Sequence, residues 1–307
     1  MQVFKSLDNL PQFKNAVVTI GTFDGVHLGH QKLLERINEL AKKNDGESIL
    51  ITFHPHPRFV VQPDSDLKLL NTIDEKIDLL KKYKVNNVVV APFSKEFSNM
   101  PAISYVKDFL VENFKPHTLV IGYDHHFGKN RSGNIDLLEE YKDIFGYNVE
   151  QISKETIQDI GISSTKIREA LAQGKVQTAN KLLGHEYSIN GFVTKGEQLG
   201  RKIGFPTANV QLLVDYKLIP KNGVYIVNVK VKNSLYKGML NIGVRPTIEG
   251  LNKTIEVNIF DFDQDIYGEK IEVILLKYIR EEQKFESLEA LKQQLNKDKA
   301  EALAYFQ

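Results

Sequence analysis

The feature that most constrains the fold of this 307-residue chain is a change of hydrophobic period near Tyr187. Before that point, short apolar runs such as residues 16–20 alternate with segments whose apolar residues recur at helical spacing, as in residues 33–41. After it, apolar and polar residues alternate with a period of two, as in residues 227–231 and 255–259. The first pattern predicts a doubly wound α/β domain with a mostly parallel sheet, and the second predicts an antiparallel sheet or small barrel.

The other predicted elements extend both patterns along the chain. We place the domain boundary at residues 184–186, which predicts one domain at 1–184 and a second at 185–307. Ligands of open α/β sheets bind at the carboxyl ends of the strands, so the loops there are the first candidates for a site. Further strands are predicted at residues 48–53, 88–91, 118–121 and 271–275, and helices at residues 74–82, 101–113, 137–144, 165–172, 176–183 and 287–305.

Composition excludes several classes of protein. The 40 Lys and Arg residues nearly balance the 39 Asp and Glu residues, so the chain lacks the basic excess of a general nucleic-acid binder. The absence of cysteine excludes disulfides, thiolate metal sites and cysteine nucleophiles. No signal-peptide pattern and no run of about 18 apolar residues occurs, so we predict a cytoplasmic protein that binds no membrane and no nucleic acid.

A glycine-rich loop at residues 21–30, GTFDGVHLGH, follows the first predicted strand and precedes an amphipathic helix. Glycines let the backbone approach an anion, and the start of the helix adds unpaired N–H groups and a positive dipole end. His27 and His30 lie three residues apart, so both imidazoles can donate hydrogen bonds to charge on a departing pyrophosphate. A turn with surface histidines is the alternative. The predicted phosphate-binding residues are Gly21, Phe23, Asp24, Gly25 and Gly29, with His27 and His30 as catalytic residues.

A second candidate phosphate motif, ISSTKIR at residues 162–168, opens a predicted helix. Ser164 and Thr165 supply hydroxyls at the start of the helix, and Arg168 supplies positive charge. An ordinary helix cap with a solvated basic face is the alternative for this segment alone. An early HxGH together with a late SSTxxR is the paired signature of the nucleotidylyltransferase superfamily, so the pair predicts an ATP site.

Two histidine-bearing loops follow other strands of the first half. Residues 122–133, GYDHHFGKNRSG, form a loop rich in polar side chains, Asp124 among them. Residues 52–58, TFHPHPR, contain His54 and His56 in a segment stiffened by two prolines. Adjacent histidines point apart in an extended chain and no third ligand is suitably spaced. A wall of loops facing the ligand is therefore favoured over a metal site.

The second half opens with KGEQLGRKIGFPTAN at residues 195–209. A glycine-rich run can hold phosphates, and the oxygens of Thr207 and Asn209 are hard ligands suited to Mg²⁺. A common glycine-rich hairpin is the alternative. The predicted ATP-binding residues here are Gly196, Gly200, Arg201, Gly204, Thr207 and Asn209, the last two also being the predicted metal ligands.

Glu256 lies in the predicted strand TIEVNIF, on the face opposite the apolar residues Ile255 and Val257. A carboxylate in that position can take a proton from a substrate hydroxyl. The pattern alone favours the alternative, a strand glutamate that faces solvent.

The order of these motifs along nearly the whole chain closely resembles the bacterial bifunctional riboflavin kinase/FMN adenylyltransferases (FAD synthetases). The resemblance rests on GTFDGVHLGH, TFHPHPR, GYDHHFGKNRSG, ISSTKIR, GRKIGFPTAN, NGVY, NIGVRPT and IEVNIFDFDQDIYG. It implies an N-terminal Rossmann-like nucleotidylyltransferase domain and a C-terminal riboflavin kinase domain built as a six-stranded antiparallel β-barrel. It also implies Mg²⁺ as the metal and ATP as the co-substrate of both reactions.

The resemblance further implies roles for individual residues. Glu256 matches the general base that would act on riboflavin, and Thr207 and Asn209 match the Mg-nucleotide residues. Asp124 falls at the polar position of the third motif, which implies a contact with ATP. The implied substrates and products are riboflavin, FMN, FAD, ATP, ADP and pyrophosphate, and we expect a monomer or weak oligomer. The chain departs from the family pattern at His125, where many members have an aromatic residue, and at Gly161, where a basic residue is frequent. The predicted flavin-binding residues are His56, Pro57, Arg58, Asn241 and Arg245.

Two other functions stay open at this point. One is a different nucleotidylyltransferase that carries its barrel as a regulatory module, against which the PTAN motif and Glu256 argue. The other is an α/β domain joined to a barrel that binds single-stranded nucleic acid, against which the net charge of +1 argues because such grooves are usually basic.

Overall fold

The structure is a computed structural model that describes residues 1–152, 161–196, 199–247 and 250–307, with the backbone alone at residues 199, 245–247 and 250–252. The chain divides into two compact units, Met1–Ser164 and Thr165–Gln307. This division precedes the predicted boundary at residues 184–186, because the intervening helices pack on strands of the second unit. Asn180, for example, donates to the carbonyl of Leu275 at 2.9 Å and accepts from the backbone N–H of Tyr187 at 2.8 Å. The boundary itself stays a prediction.

The first unit contains a six-stranded sheet in the order β1-β4-β3-β2-β5-β6, and each neighbouring pair is parallel. The chain runs from β2 outward through β3 to β4 and later returns to place β5 on the other side of β2. The strand order therefore reverses between β2 and β5, which is where ligands bind in such sheets. The predicted α/β domain is confirmed. The strands are β1 Gln2–Phe4, β2 Val17–Ile20, β3 Ser48–His54, β4 Asn87–Pro92, β5 Thr118–Gly122 and β6 Asn148–Ile152.

Helices cover both faces of this sheet, which explains its nearly continuous apolar strands. Val17 packs with the apolar face of α1, whereas Val18 packs with the aromatic residues on the opposite side. The predicted helix at residues 101–113 contains a π-helical stretch, Tyr105–Val111, between α5 and α6. The helices are α1 Leu28–Lys43, α2 Pro57–Val61, α3 Ile73–Lys81, α4 Lys95–Ser98, α5 Ala102–Ser104, α6 Glu112–Phe114 and α7 Ile135–Phe145, with a 3₁₀ turn at Lys129–Arg131.

The second unit contains a closed six-stranded barrel in the order β10-β11-β8-β7-β12-β9, and each neighbouring pair is antiparallel. The barrel implied by the family resemblance is therefore confirmed. Its strands are β7 Tyr187–Thr194, β8 Ala208–Gln211, β9 Gly223–Val231, β10 Ser234–Thr247, β11 Gly250–Ile259 and β12 Lys270–Arg280, and the helices around it are α8 Ser164–Ala172, α9 Val176–Leu183, α10 Leu199–Lys202 and α11 Leu288–Tyr305.

A buried ion pair fastens the C-terminal helix α11 to the barrel. The guanidinium of Arg280 on β12 donates to both carboxylate oxygens of Asp298, with the shortest distance, 2.7 Å, from Nη2 to Oδ2. Asp298 is only 1% exposed, and Gln294 donates to it as well at 2.8 Å. These bonds satisfy a carboxylate that would otherwise be costly to bury.

Within the part of the chain that the structure describes, no helix combines the length and the apolar character needed to cross a membrane.

Candidate active sites

The glycine-rich loop leaves the carboxyl end of β2 at the point where the strand order of the sheet reverses. Three of its residues have positive φ angles: Phe23 at 48°, Gly25 at 87° and Val26 at 41°. Glycine adopts this conformation freely, but a β-branched valine does so only under strain. Strained backbone of this kind clusters at ligand-binding sites, where surrounding contacts hold it in place.

Side chains from three neighbouring elements hold the loop. Gln31 on α1 donates from Nε2 to the carbonyl oxygen of Val26 at 2.9 Å. Thr52 on β3 donates from Oγ1 to the carbonyl oxygen of Thr22 at 3.1 Å. Lys76 on α3 donates from Nζ to that same carbonyl at 2.6 Å. The loop conformation therefore depends on the folded sheet and not on its own sequence alone.

The imidazole rings of His27 and His30 are stacked, with centroids 3.6 Å apart and an angle of 15° between their planes. His27 caps α1, and its Nδ1 accepts from the backbone N–H of His30 at 3.3 Å. The Nδ1 atom of His30 is buried and has no hydrogen-bond partner among the described residues. Burial, then His27, then Lys76 hold the pKa of His30 well below its ordinary value, so its ring is neutral at pH 7.

Asp24 is buried, and its carboxylate binds the backbone of the protein. Its Oδ1 accepts from the backbone N–H of Leu70 at 2.9 Å and from that of Asn71 at 3.3 Å. These two bonds fix the segment that leads into α3, which begins after the cap Thr72. Asp24 therefore joins the loop to the start of α3, and its predicted contact with ATP stays a prediction.

The start of the late motif contacts the early motif within the first unit. The hydroxyl of Ser164 donates to the carbonyl oxygen of Asp24 at 2.9 Å. The two motifs are far apart in sequence, so this bond supports their predicted pairing. Thr165 and Arg168 follow in α8, beyond the division between the two units.

The other two predicted loops also lie at the carboxyl ends of strands. His56 caps the short helix α2 by accepting at Nδ1 from the backbone N–H of Arg58 at 3.2 Å, with Pro57 in the first turn. The Arg58 side chain is exposed, and so is that of Asp124 in the loop after β5. The structure places these residues at the correct edge of the sheet, but their ligands stay predictions.

His125, the residue that departs from the family pattern, packs against Phe127 with ring centroids 5.7 Å apart. Burial lowers the pKa of His125 to about 4, so the ring is neutral at pH 7. Phe127 exchanges backbone hydrogen bonds with Gly133, which closes the loop, and it stacks on Tyr105. In residues 1–152 and the other described ranges, no group of three or more His, Cys, Asp or Glu residues could hold a metal ion.

A row of polar residues crosses four neighbouring strands of the barrel. Asn241 on β10 pairs with Glu256 on β11, Glu256 pairs with Asn209 on β8, and Asn209 pairs with Thr194 on β7. Directly paired residues of antiparallel strands share a face, so these side chains lie side by side. Glu256 is half-buried, which differs from the solvent-facing glutamate that the pattern alone favoured.

The PTAN segment brings its hydroxyl to the same place. Oγ1 of Thr207 donates to Oε2 of Glu256 at 3.4 Å. Gly196 passes so close to Asn209 that an added Cβ would lie 2.2 Å from its Nδ2. Any other residue at position 196 would therefore displace the side-chain amide of Asn209. Close packing against Asn209 thus explains why this position is a glycine.

Backbone hydrogen bonds close the loop before PTAN. Gly200 accepts at its carbonyl from the backbone N–H of Ile203 at 3.1 Å and of Phe205 at 2.8 Å, and Gly204 has φ 88°. Arg201 is exposed, and the side chain of Arg245 lies outside the described residues. The predicted phosphate contacts of this loop stay predictions.

Asn258 has a role that sequence reasoning did not assign. It is buried, and its Nδ2 donates to the carbonyl oxygen of Pro206 at 2.6 Å. This bond ties the start of the PTAN segment to β11, two residues from Glu256. The sequence offered one indication of this role, because Asn258 lies two residues after Glu256 and therefore on the same face of the strand.

Two family models match the chain in tandem. One described as FAD synthetase matches residues 10–166, and one described as riboflavin kinase matches residues 183–306. Together they span both compact units.

Curated relatives match over the whole length. The bifunctional riboflavin kinase/FMN adenylyltransferase of Haemophilus influenzae is 40% identical over 308 residues, which cover 100% of this chain and 99% of the relative. The protein of that name from Escherichia coli (strain K12) is 36% identical over 309 residues, with 100% and 98% covered. Among solved structures, one described as a macrolide-efflux protein from Streptococcus pneumoniae has a TM-score of 0.86 at 33% identity and covers 97% of each chain.

Proposed function

The chain belongs to the family of bifunctional riboflavin kinase/FMN adenylyltransferases, and from that membership we propose which of its residues perform each reaction. The protein is an enzyme with two activities. It phosphorylates riboflavin with ATP to give FMN and ADP, and it transfers the adenylyl group of a second ATP to FMN to give FAD and pyrophosphate. The efflux activity named for the Streptococcus pneumoniae structure is not assigned here, because both family models and the curated relatives agree on flavin chemistry.

We assign adenylyl transfer to the glycine-rich loop of the first unit. The observation that carries this assignment is the buried Nδ1 of His30, which lacks a partner in the described part of the protein. Buried polar atoms of native proteins are nearly always hydrogen-bonded, so this atom indicates a ligand. The strained loop lies beside it, and the start of α1 offers the backbone N–H groups and positive dipole end that favour an ATP polyphosphate.

In this reaction an oxygen of the FMN phosphate attacks the α-phosphorus of ATP, and the bond to pyrophosphate breaks. Negative charge then builds on the leaving pyrophosphate. We propose that His27 and His30 donate hydrogen bonds to it, with Gly21, Gly25 and Gly29 supplying the close backbone. Asp124, Ser164, Thr165 and Arg168 complete the proposed ATP site, with Phe23 and Asp24 shaping the loop, and His56, Pro57 and Arg58 face FMN.

We assign phosphorylation of riboflavin to the polar row of the barrel. The carboxylate of Glu256 takes the proton of the riboflavin 5′-hydroxyl. The oxygen of that hydroxyl attacks the γ-phosphorus of ATP, and the bond from this phosphorus to ADP breaks. Oxygens of Glu256, Thr207 and Asn209 meet on one face, which is the hard donor set that Mg²⁺ prefers. We propose that Thr207 and Asn209 hold this ion, which when bound neutralises charge on the phosphates. Asn241 lies next to Glu256 and is the proposed contact to riboflavin, together with Arg245.

One experiment tests the two-site assignment. The protein is incubated with riboflavin, ATP and Mg²⁺, and the flavins are separated over time. FMN should appear first and FAD should follow, and chelation of Mg²⁺ should stop FMN formation. A protein that makes FAD from supplied FMN but never phosphorylates riboflavin would contradict the kinase assignment and favour a regulatory barrel. Sedimentation at micromolar concentration tests the expected monomer or weak oligomer.

A further inference from the structure

Lys76 is a buried charged residue to which the proposed mechanism assigns no role. It lies in the first turns of α3 and is only 4% exposed. Lysine is almost never buried so fully unless its ammonium group is paired, so its contacts indicate a specific purpose.

The ammonium group of Lys76 lies directly behind the glycine-rich loop. Its Nζ donates to the carbonyl oxygen of Thr22 at 2.6 Å and to Oγ1 of Thr52 at 3.2 Å. Thr52 donates in turn to the Thr22 carbonyl at 3.1 Å. One carbonyl of the loop thus accepts two hydrogen bonds from the same side. The peptide group that joins Thr22 to Phe23 cannot rotate without losing both bonds.

Other charged and titratable groups lie around Lys76. The carboxylate of Asp24 attracts its ammonium group. After burial and His27, the charge of Lys76 contributes to the lowered pKa of His30. Burial is the main cause that lowers the pKa of His54 at the end of β3, and the charge of Lys76 adds to it, while Asp74 opposes the shift and Lys5 adds to it. The field of Lys76 therefore reaches two elements that border the loop.

We propose that Lys76 is a positioning residue of the adenylyltransferase, whose protonated ammonium group fixes the Thr22 carbonyl and supplies positive charge behind the ATP polyphosphate. This role rests on the proposed assignment of the glycine-rich loop to ATP. With this carbonyl held toward Lys76, the N–H of the same trans peptide group, that of Phe23, points away from Lys76. The same charge favours neutral imidazoles before ATP binds.

The role makes the ATP reaction sensitive to alkaline pH. Burial lowers the pKa of Lys76 to about 8, against the opposing effect of Asp24. A lysine with a lowered pKa is charged below that value and becomes neutral as the pH rises through it. Because kcat/KM reports the free enzyme, kcat/KM for ATP in the adenylyl transfer should fall as the pH rises above about 8. The kinase reaction uses another site and provides the comparison.

The test compares Lys76→Met and Lys76→Arg with Lys81→Met, a matched control at an exposed position of the same helix. FAD formation from supplied FMN is measured against ATP concentration, and riboflavin phosphorylation is measured in the same preparation. We expect Lys76→Met to lose about 100-fold in kcat/KM for ATP, the loss that a loop displaced by roughly 1 Å can cause. Lys81→Met and the kinase rate should stay unchanged.

The pH profile separates positioning by charge from a structural role. Lys76→Arg keeps the charge at every accessible pH, so its residual activity should not fall above about pH 8. An arginine variant that retains the alkaline fall would overturn the proposal, even if Lys76→Met does not fold. A Lys76→Met enzyme within about threefold of Lys81→Met would overturn it too, since a displaced catalytic loop costs far more. If the unsubstituted enzyme makes no FAD from FMN and ATP, the assignment of the loop fails instead.

Discussion

His30 illustrates at the scale of a single residue how burial and chemistry are combined in this enzyme. Its ring packs against those of His27 and Phe23, and the centroid of the Phe23 ring is 5.0 Å from its own. Its Nδ1 atom nevertheless has no hydrogen-bond partner within the described ranges. A neutral imidazole costs less to enclose than a charged one, and it still offers an N–H to an anion. The approach of a polyphosphate raises the pKa of such a ring, so the binding of ATP and the charge of His30 favour one another.

We predict that His30→Ala suppresses FAD formation while FMN formation continues. Removal of one hydrogen-bond donor to a developing charge costs about 100-fold to 1,000-fold in kcat. The measurement is the rate of FAD formation from supplied FMN, with riboflavin phosphorylation in the same sample as the control. Unchanged FAD output would exclude a phosphate role for this loop.

We predict that Glu256→Gln has the opposite effect, in that it suppresses FMN formation and spares FAD formation. Glutamine fills the same space beside Thr207 but cannot accept the proton of the riboflavin hydroxyl, so FMN formation should drop by about 100-fold to 10,000-fold. FAD synthesis from supplied FMN should persist. Loss of both activities together would count against two separate sites.

The candidate site residues that the sequence alone indicated are those whose type and spacing match a chemical task. The two loop histidines and the PTAN residues belong to this group. Lys76 does not, because it follows Asp74 and Glu75 in a run of charged residues that is typical of a solvated helix face. Only the folded sheet places it behind the loop. The same holds for Asn258, whose bond to Pro206 depends on strand pairing.

At the scale of elements, the start of α3 holds the glycine-rich loop, which is far from it in sequence. Thr72 and Glu75 form a capping box, in which Thr72 Oγ1 accepts from the backbone N–H of Glu75 at 3.2 Å and Glu75 accepts from that of Thr72 at 2.8 Å. The preceding backbone N–H groups bind Asp24. The cap therefore fixes the direction in which Lys76 enters the core.

We predict that Thr72→Ala lowers the free energy of unfolding of the first unit by about 1 kcal/mol, because one capping hydrogen bond is lost. Urea denaturation followed by circular dichroism measures this change. Thr72→Ser keeps the hydroxyl and should lose much less, so equal losses in the two variants would argue against the cap.

Periodicity predicted the buried strands and the long helices well, because those elements have one clear apolar pattern. It assigned no individual strand to β1, β6, β7, β8 or β10, and for three of these the omission has a physical reason. β1 has three residues, β6 buries only Ile152, and β8 contains the polar site residue Asn209. Edge strands and strands that carry a site need fewer apolar residues than central strands do.

At the scale of the whole molecule, two compact units each have their own source of stability. The first has apolar layers on both faces of a parallel sheet, and the second has a closed barrel with α11 fastened to it. The sequence predicted both architectures from the change of period near Tyr187. The placement of the helices at residues 165–183 depends on which apolar face finds a partner, and periodicity cannot decide that.

We predict that Asp298→Ala destabilises the second unit by roughly 3–5 kcal/mol, because it leaves the guanidinium of Arg280 without its buried partner. Calorimetry should show that the second unit unfolds at a lower temperature in the variant than in the unsubstituted protein, and riboflavin phosphorylation should be lost at that lower temperature. FAD formation from FMN should persist at the temperature where phosphorylation is lost. Glu301→Ala on the same helix removes only the exposed pair with Lys277 and should cost less than about 1 kcal/mol. Equal losses in both variants would contradict the importance of the buried pair.

The bond from Ser164 to the carbonyl of Asp24 has a consequence for the synthesis of the chain. It joins residues that are 140 positions apart. A growing polypeptide leaves the ribosome from its N-terminus, so the loop emerges long before the hydroxyl that completes it. The nascent protein therefore lacks this bond for most of the translation of its first unit, and the loop gains it only as synthesis of that unit ends.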